Sequence, residues 1–364
     1  MYNILVFGTG NMSKAIEYII NKNVNIVAYI DNDKNKWSSN VFGPNNIKDF
    51  NYDFIVIASQ YNNVIYNQLI DIGIDKNKIL EYYYFFLMSN DELKYTISLY
   101  EKNINKYKSI ITGLSYYKKG IVEEELLKKG INFAYDSQDL YYDYNIVKYI
   151  LENYKTNFEY CIIGLSYYSF EYDLSLSSIK DNVYMYYRIL KKKHHFDLCD
   201  NIEERFQISK NIVDEIFDII PSVRKNSKYG TKYVRSEKIN LSKKELFEIG
   251  KNQAKIDSNK NYPDTVKENI FILEKYLNLL IKNKIKPIIV IAPTTKYYYS
   301  YFPENMKNNF LEIINNLKSK YDFKYFDYFK SEAFTIEDFQ DINHLNSEGS
   351  IKFTNILNKY IFID

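Results

Sequence analysis

"NILVFGTGNMSKAIEYIINKNVNIVAYIDND", residues 3–33, decides how the first part of this chain folds. Ile4 to Phe7 form a short apolar run without polar alternation, which predicts a strand buried on both faces, as in a parallel sheet. Gly8 and Gly10 break the run, and Ala15, Ile16, Ile19 and Ile20 then recur at helical spacing. A second apolar run ends at Asp31, so the order is strand, helix, strand: a βαβ unit. "YDFIVIAS" (52–59) predicts a third strand, and "NNVIYNQLIDIGIDKNKI" (62–79) a helix, a turn and a short strand.

The turn has the chemistry of a phosphate site. Gly8 and Gly10 allow close backbone approach, and a helix starting at Asn11 offers unpaired N–H groups to an anion. Asp31 follows Gly8 by 23 positions, about where a ribose-binding carboxylate sits. Ser13 stands at the third glycine position, and the segment is too short for both halves of a dinucleotide site. The expected ligand is a nucleotide or nucleotide-sugar held by Gly8, Gly10, Asn11 and Asp31, with NAD chemistry or a docking role as alternatives.

"SNDELKYTISLYEKNINKYK" (89–108) predicts a connecting helix with Ser89 as its N-cap. Beyond about residue 106 strands and helices alternate again: "SIITGLSYY" (109–117), "GINFAYDSQDL" (130–140), "FEYCIIGLSYY" (158–168), "KPIIVIAP" (286–293) after a long helix at 264–285, and "FKYFDYF" (323–329). This pattern predicts a second, mostly parallel sheet covered on both faces. Ligands of such sheets bind beyond the carboxyl ends of the strands, where Ser115, Ser137, Ser166, Pro293 and Thr294 fall. "GLSYY" occurs at 113–117 and 164–168, but the flanking residues do not repeat, so the sequence indicates no internal duplication.

A length of 364 residues suggests two or three domains, and 46% hydrophobic residues suffice for sizeable cores. A net charge of +2, with both signs interspersed, argues against nucleic acid as a partner. The 39 Tyr and 23 Phe against a single Trp look like AT-rich compositional drift, so aromatic clusters are assigned to the core. Cys161 and Cys199 cannot make a disulfide framework and suggest a reducing compartment. The start lacks a basic region and cleavage site, and no stretch of 18 apolar residues occurs, so a cytoplasmic protein without a membrane span is expected.

A serine nucleophile needs a base, and the chain has three histidines. His194 and His195 lie in "LKKKHHF", which predicts solvated surface, and "HHFDLC" up to Cys199 lacks a second ligand pair, so no metal is expected. His344, in "FQDINHLNSEG" (339–349), follows Asp341 by three positions, where a carboxylate can fix the imidazole tautomer. The same loop also suits a helix start, with Asn346 or Ser347 as cap and Glu348 in the first turn. Ser115 is the leading nucleophile candidate and Ser166 the second.

The strand ending in G-x-S at Gly113–Ser115 and the D-x-x-H before the last helix resemble the SGNH (GDSL-type) hydrolase and acyltransferase superfamily. "DINHLNSEGSIKF" (341–353) is similar to the terminal block of the branch that includes teichoic-acid D-alanylation and alginate O-acetylation proteins. The resemblance implies a flavodoxin-like α/β/α fold, with Ser115 as nucleophile, His344 as general base and later acid, and Asp341 as its orienter. Leu114 departs from the aspartate of the GDS signature, and no G-x-N-D block is evident. The oxyanion-hole side chain therefore stays open among Ser137, Gln138, Asn343 and Asn346, with the N–H groups of Ser115 and of residues 136–139 as backbone donors.

The first 85 residues are similar to small Rossmann-like domains of sugar-nucleotide and surface-glycan enzymes, through the glycine turn, "IDND" and the strand ending in "IAS". The expected organisation is a Rossmann-like domain at 1–85, a linker helix at 86–105 and an SGNH-like domain at 106–364. The expected activity is that of a serine esterase or O-acyl(acetyl)transferase on a sugar or surface-glycan precursor. Glycan-pathway enzymes or a second copy of the chain are the expected protein partners. The alternative is a catalytically inactive nucleotide-sugar-binding or scaffold protein of a glycan pathway.

Overall fold

In the computed structural model, which describes residues 1–89, 91–217, 238–259 and 263–362, the named strands pair in parallel and form two five-stranded sheets. The chain divides into two compact units, one around each sheet.

The first sheet contains β1 (Tyr2–Phe7), β2 (Val24–Ile30), β3 (Val41–Phe42), β4 (Phe54–Ile57) and β5 (Ile79–Glu81), in the order β3-β2-β1-β4-β5. The order reverses between β1 and β4, the place where doubly wound sheets open a crevice. Ile4, Val6 and Val56 pack into one core while Leu5, Phe7, Ile55 and Ile57 pack into another. Both faces are thus buried, which is why these strands read as continuous apolar runs. β3 is only two residues long and leaves no such run.

Two boundary expectations are corrected. The described residues 196–217 belong to the first unit and not to the domain expected over 106–364. There the helix Ile202–Ile216 buries Ile212, Val213 and Ile216 in the same core as Ile4 and Val56. Arg205 of that helix lies in a buried ion pair with Glu81, its Nε donating to Oε2 at 2.9 Å. Ser89 closes the helix Tyr82–Met88, its hydroxyl donating to the Phe85 carbonyl at 2.5 Å, and does not cap the following helix Glu92–Lys102.

The second sheet contains β6 (Ser109–Gly113), β7 (Gly130–Asn132), β8 (Tyr160–Leu165), β9 (Lys286–Ile291) and β10 (Lys324–Asp327). Its order, β10-β9-β8-β6-β7, is the flavodoxin-like arrangement, with the switch point between β6 and β8. The tyrosines fill this core: Tyr117, Tyr142, Tyr186 and Tyr276 are fully buried. Burial requires partners for their hydroxyls; that of Tyr276 meets Thr112 at 3.0 Å and Cys161 at 3.2 Å. Among the described residues no helix is long and apolar enough to cross a membrane.

Candidate active site

Ser115 opens the helix Ser115–Gly120 directly after β6, at the switch point of the second sheet. His344 and Asp341 lie in a turn closed by a bridge between Phe339 and Leu345. The Ile342 carbonyl fixes the turn by accepting from the Thr295 N–H at 3.2 Å and its hydroxyl at 2.6 Å. Asn346 caps the last helix, Ser347–Ile361, by accepting from the N–H groups of Glu348 and Gly349. Capping and site building are therefore two roles of one loop.

These elements bring Ser115 Oγ to 2.8 Å from His344 Nε2. On the other edge of the ring, Nδ1 lies 3.0 and 2.9 Å from the two carboxylate oxygens of Asp341. Nδ1–H donating to Asp341 leaves Nε2 as the acceptor of the Ser115 hydroxyl proton, the tautomer a general base needs. Burial pushes the Asp341 carboxyl up. The bond from His344, its charge, and the N–H groups of Asn343 and His344 outweigh that and hold it below the usual range. The carboxylate is thus kept ionised behind the imidazole.

A cavity of about 320 Å³ opens over Ser115 and His344, a size suited to a small ligand. Its walls include Tyr116, Ser137, Tyr168, Asp257 and Asn343. Ser137 has a left-handed φ of 59°, a conformation more often taken by glycine. The N–H groups of Ser115 and Ser137 have no protein partner among the described residues. Asn343 donates one amide hydrogen to the Tyr116 hydroxyl at 3.2 Å and has a second to offer. Burial and the charge of Asp257 raise the Tyr116 hydroxyl, which therefore stays protonated.

Other expected residues fall elsewhere. Gln138 is turned into the core, where its amide donates to the Phe133 carbonyl and to Asp143 and accepts from Tyr186. Ser166 is buried at the end of β8 and does not line the cavity. His194 is not solvated surface as expected: its side chain is 5% exposed and paired with Asp173 and Glu268. Sequence reasoning missed Asp257, which accepts from the Tyr298 hydroxyl at 2.8 Å. Nothing in its helical pattern distinguishes it from a surface acid.

In the first unit, Gly8 follows β1 with φ 111° and Gly10 precedes the helix Asn11–Glu17. Asp31 already accepts from the Thr9 hydroxyl at 2.5 Å, the Asp33 N–H at 2.9 Å and Lys36 at 3.2 Å. Burial pushes its carboxyl up, but these donors hold it below the usual range. A ribose reaching Asp31 would have to compete with them.

Residues 172–362 match the family described as DltD protein, and residues 1–80 match the family described as C2185-like, N-terminal. The first match covers more than half the chain and includes Asp341 and His344, while Ser115 lies before it. No curated protein matches the chain.

Proposed function

The chain belongs to the DltD protein family, and we propose that its second unit is a serine-dependent esterase or O-acyl(acetyl)transferase acting on a sugar or surface-glycan precursor. The observation that carries this reading is the line Ser115 Oγ–His344–Asp341, with hydrogen-bond distances on both sides of the ring. Ser115 attacks the acyl carbonyl while His344 Nε2 takes its proton. The N–H groups of Ser115 and Ser137 and the Asn343 amide face the developing oxyanion. Collapse expels the alcohol, which takes the proton from His344 and leaves the acyl group as an ester on Ser115. His344 then deprotonates water or an acceptor hydroxyl, which removes the acyl group and restores the serine.

A fluorophosphonate probe on the purified chain tests this. Labelling that is lost in Ser115→Ala and in His344→Ala supports the enzyme. No labelling of folded protein would instead favour the alternative, an inactive glycan-pathway binding or scaffold protein.

A further inference from the structure

We propose that His194, His195 and Glu268, oriented by Asp173, bind one divalent transition-metal ion, zinc in the first instance. The two imidazoles lie edge-on between two carboxylates. Both Nδ1 atoms face Asp173, that of His194 at 3.2 Å and that of His195 at 2.8 Å. Both Nε2 atoms face Glu268, at 3.1 and 3.4 Å. Ligand atoms from the four residues all lie within 4.8 Å of one another.

Four nitrogen–oxygen contacts require a hydrogen or a cation in each, because imidazole nitrogen and carboxylate oxygen repel when both present lone pairs. Two neutral rings supply two hydrogens. Asp173 claims these: its side chain is fully buried and is fixed by accepting the Ser175 N–H at 2.7 Å and hydroxyl at 2.5 Å. With Nδ1–H on Asp173, each Nε2 faces the Glu268 carboxylate, a contact that needs either a second ring proton or a metal ion between the two atoms. A carboxylate holding the far nitrogen of a ligating histidine is the usual support of such sites. Zinc bonds of about 2.0–2.2 Å in a tetrahedron put neighbouring ligand atoms about 3.3–3.6 Å apart, close to the longer of the two Nε2–Glu268 distances.

The open side is the Glu268 side, where that residue is 36% and His195 is 45% exposed. His194 is held by stacking on Tyr141, ring centroids 3.9 Å apart. His195 stacks in turn on His194 at 4.1 Å, so the Nε2 lone pairs run side by side. The rings are inclined by 28°, and convergence on one ion needs only a tilt of the exposed His195 that keeps its Nδ1 on Asp173. Asp173 sits between Tyr172 and the residues Ser177 and Ser178, which line the Ser115 cavity, while Glu268 belongs to the helix Pro263–Lys282. The ion would tie that cavity wall to the helix.

The test uses the full chain, stripped with chelator, re-equilibrated with zinc and freed of unbound ion, with bound metal measured by plasma mass spectrometry. One zinc per chain is expected, with cobalt giving visible d–d bands in its place. His195→Gln, at an exposed position, and Glu268→Gln, at a half-buried one, should each weaken zinc binding by about ten-fold or more while the circular-dichroism spectrum is unchanged. Asp173→Asn should weaken it by a comparable factor, provided its spectrum shows it folded. No stoichiometric uptake by the wild-type chain, or undiminished uptake by folded His195→Gln and Glu268→Gln, overturns the proposal.

Discussion

Gly164→Ala puts a close packing contact of the second unit to the test. Gly164 lies in β8, paired in register with Gly113 of β6 and Val290 of β9. A Cβ there would fall 2.1–2.4 Å from ring carbons of Tyr117, far inside contact distance. The ring cannot easily retreat, because the Tyr117 hydroxyl lies 2.6 Å from the Leu165 carbonyl and 2.5 Å from that of Val290, and accepts the Ala292 N–H at 2.9 Å. Overpacking costs about 1–3 kcal/mol. Losing the hydroxyl's bonds and stranding a buried N–H adds about 1–3 kcal/mol. The expected loss is therefore about 2–6 kcal/mol in chemical denaturation. Tyr117 sits two residues after Ser115 on the same short helix, so the displaced ring also shifts Oγ from His344. Fluorophosphonate labelling should slow by about ten-fold or more, since about 1 Å of misplacement can cost a hundred-fold. Gly120→Ala is the control: its Cβ would meet Leu345 and Phe353 at 3.6 and 3.7 Å, ordinary contacts, and should change neither quantity materially. A Gly164→Ala protein as stable as wild type, labelling at the wild-type rate, would refute the reasoning.

Three further outcomes follow from the geometry. Arg205→Ala strands the buried Glu81 carboxylate and should cost the first unit about 3–5 kcal/mol, read from faster hydrogen exchange in β5; unchanged exchange would argue that the helix Ile202–Ile216 is not stapled there. Burial, against bonds from Leu174 and Tyr142 and the charge of His194, raises the Asp139 carboxyl to about 6. The folded chain then keeps this proton to higher pH than the unfolded chain, so stability falls as pH rises from about 4 to about 6. Asp139→Asn removes this titration at the cost of one of the two backbone bonds that the carboxylate accepts, so its stability relative to wild type should rise by up to about 3 kcal/mol between about pH 4 and about pH 6, and a pH-independent difference in urea denaturation would exclude the effect. For a nucleotide site in the first unit, Gly8→Val is a poor probe, because φ is 111° and a Cβ would press on the Ala58 carbonyl at 2.7 Å. Gly10→Ala meets nothing within 4 Å, so it should keep the unliganded stability within about 0.5 kcal/mol while abolishing any nucleotide-induced thermal shift; no shift in the wild-type chain with nucleotides, nucleotide-sugars or NAD would remove the site.

What the sequence disclosed depended on how local each determinant is. Parallel strands buried on both faces write themselves as unbroken apolar runs, so β1, β2, β4, β8 and β9 were legible, whereas the two-residue β3 was not. The helix Ile202–Ile216 shows an apolar stripe, but a stripe does not say what covers it. Only the fold shows that Ile212 and Ile216 return to the core of Ile4 and Val56. Asp341 and His344 were legible because they share one turn. Asp173 and Glu268 were invisible as partners of His194 because 21 and 74 positions separate them from it.

Gln138 and Ser137 show where residue type misleads at a site. The amide of Gln138 suggested an oxyanion donor, yet the turn directs it inward, where Phe133, Asp143 and Tyr186 use it fully. Ser137, one position earlier, takes the left-handed conformation and lines the cavity with its N–H uncommitted. A backbone donor is indifferent to the side chain it carries, so the missing G-x-N-D block need not leave an oxyanion unsupported. The N–H groups of Ser115 and Ser137, with the spare Asn343 hydrogen, make three donors around one cavity. Replacing Asn343 by Ala should then slow labelling without abolishing it. Complete loss in a folded Asn343→Ala protein would show that the backbone donors alone cannot support the reaction.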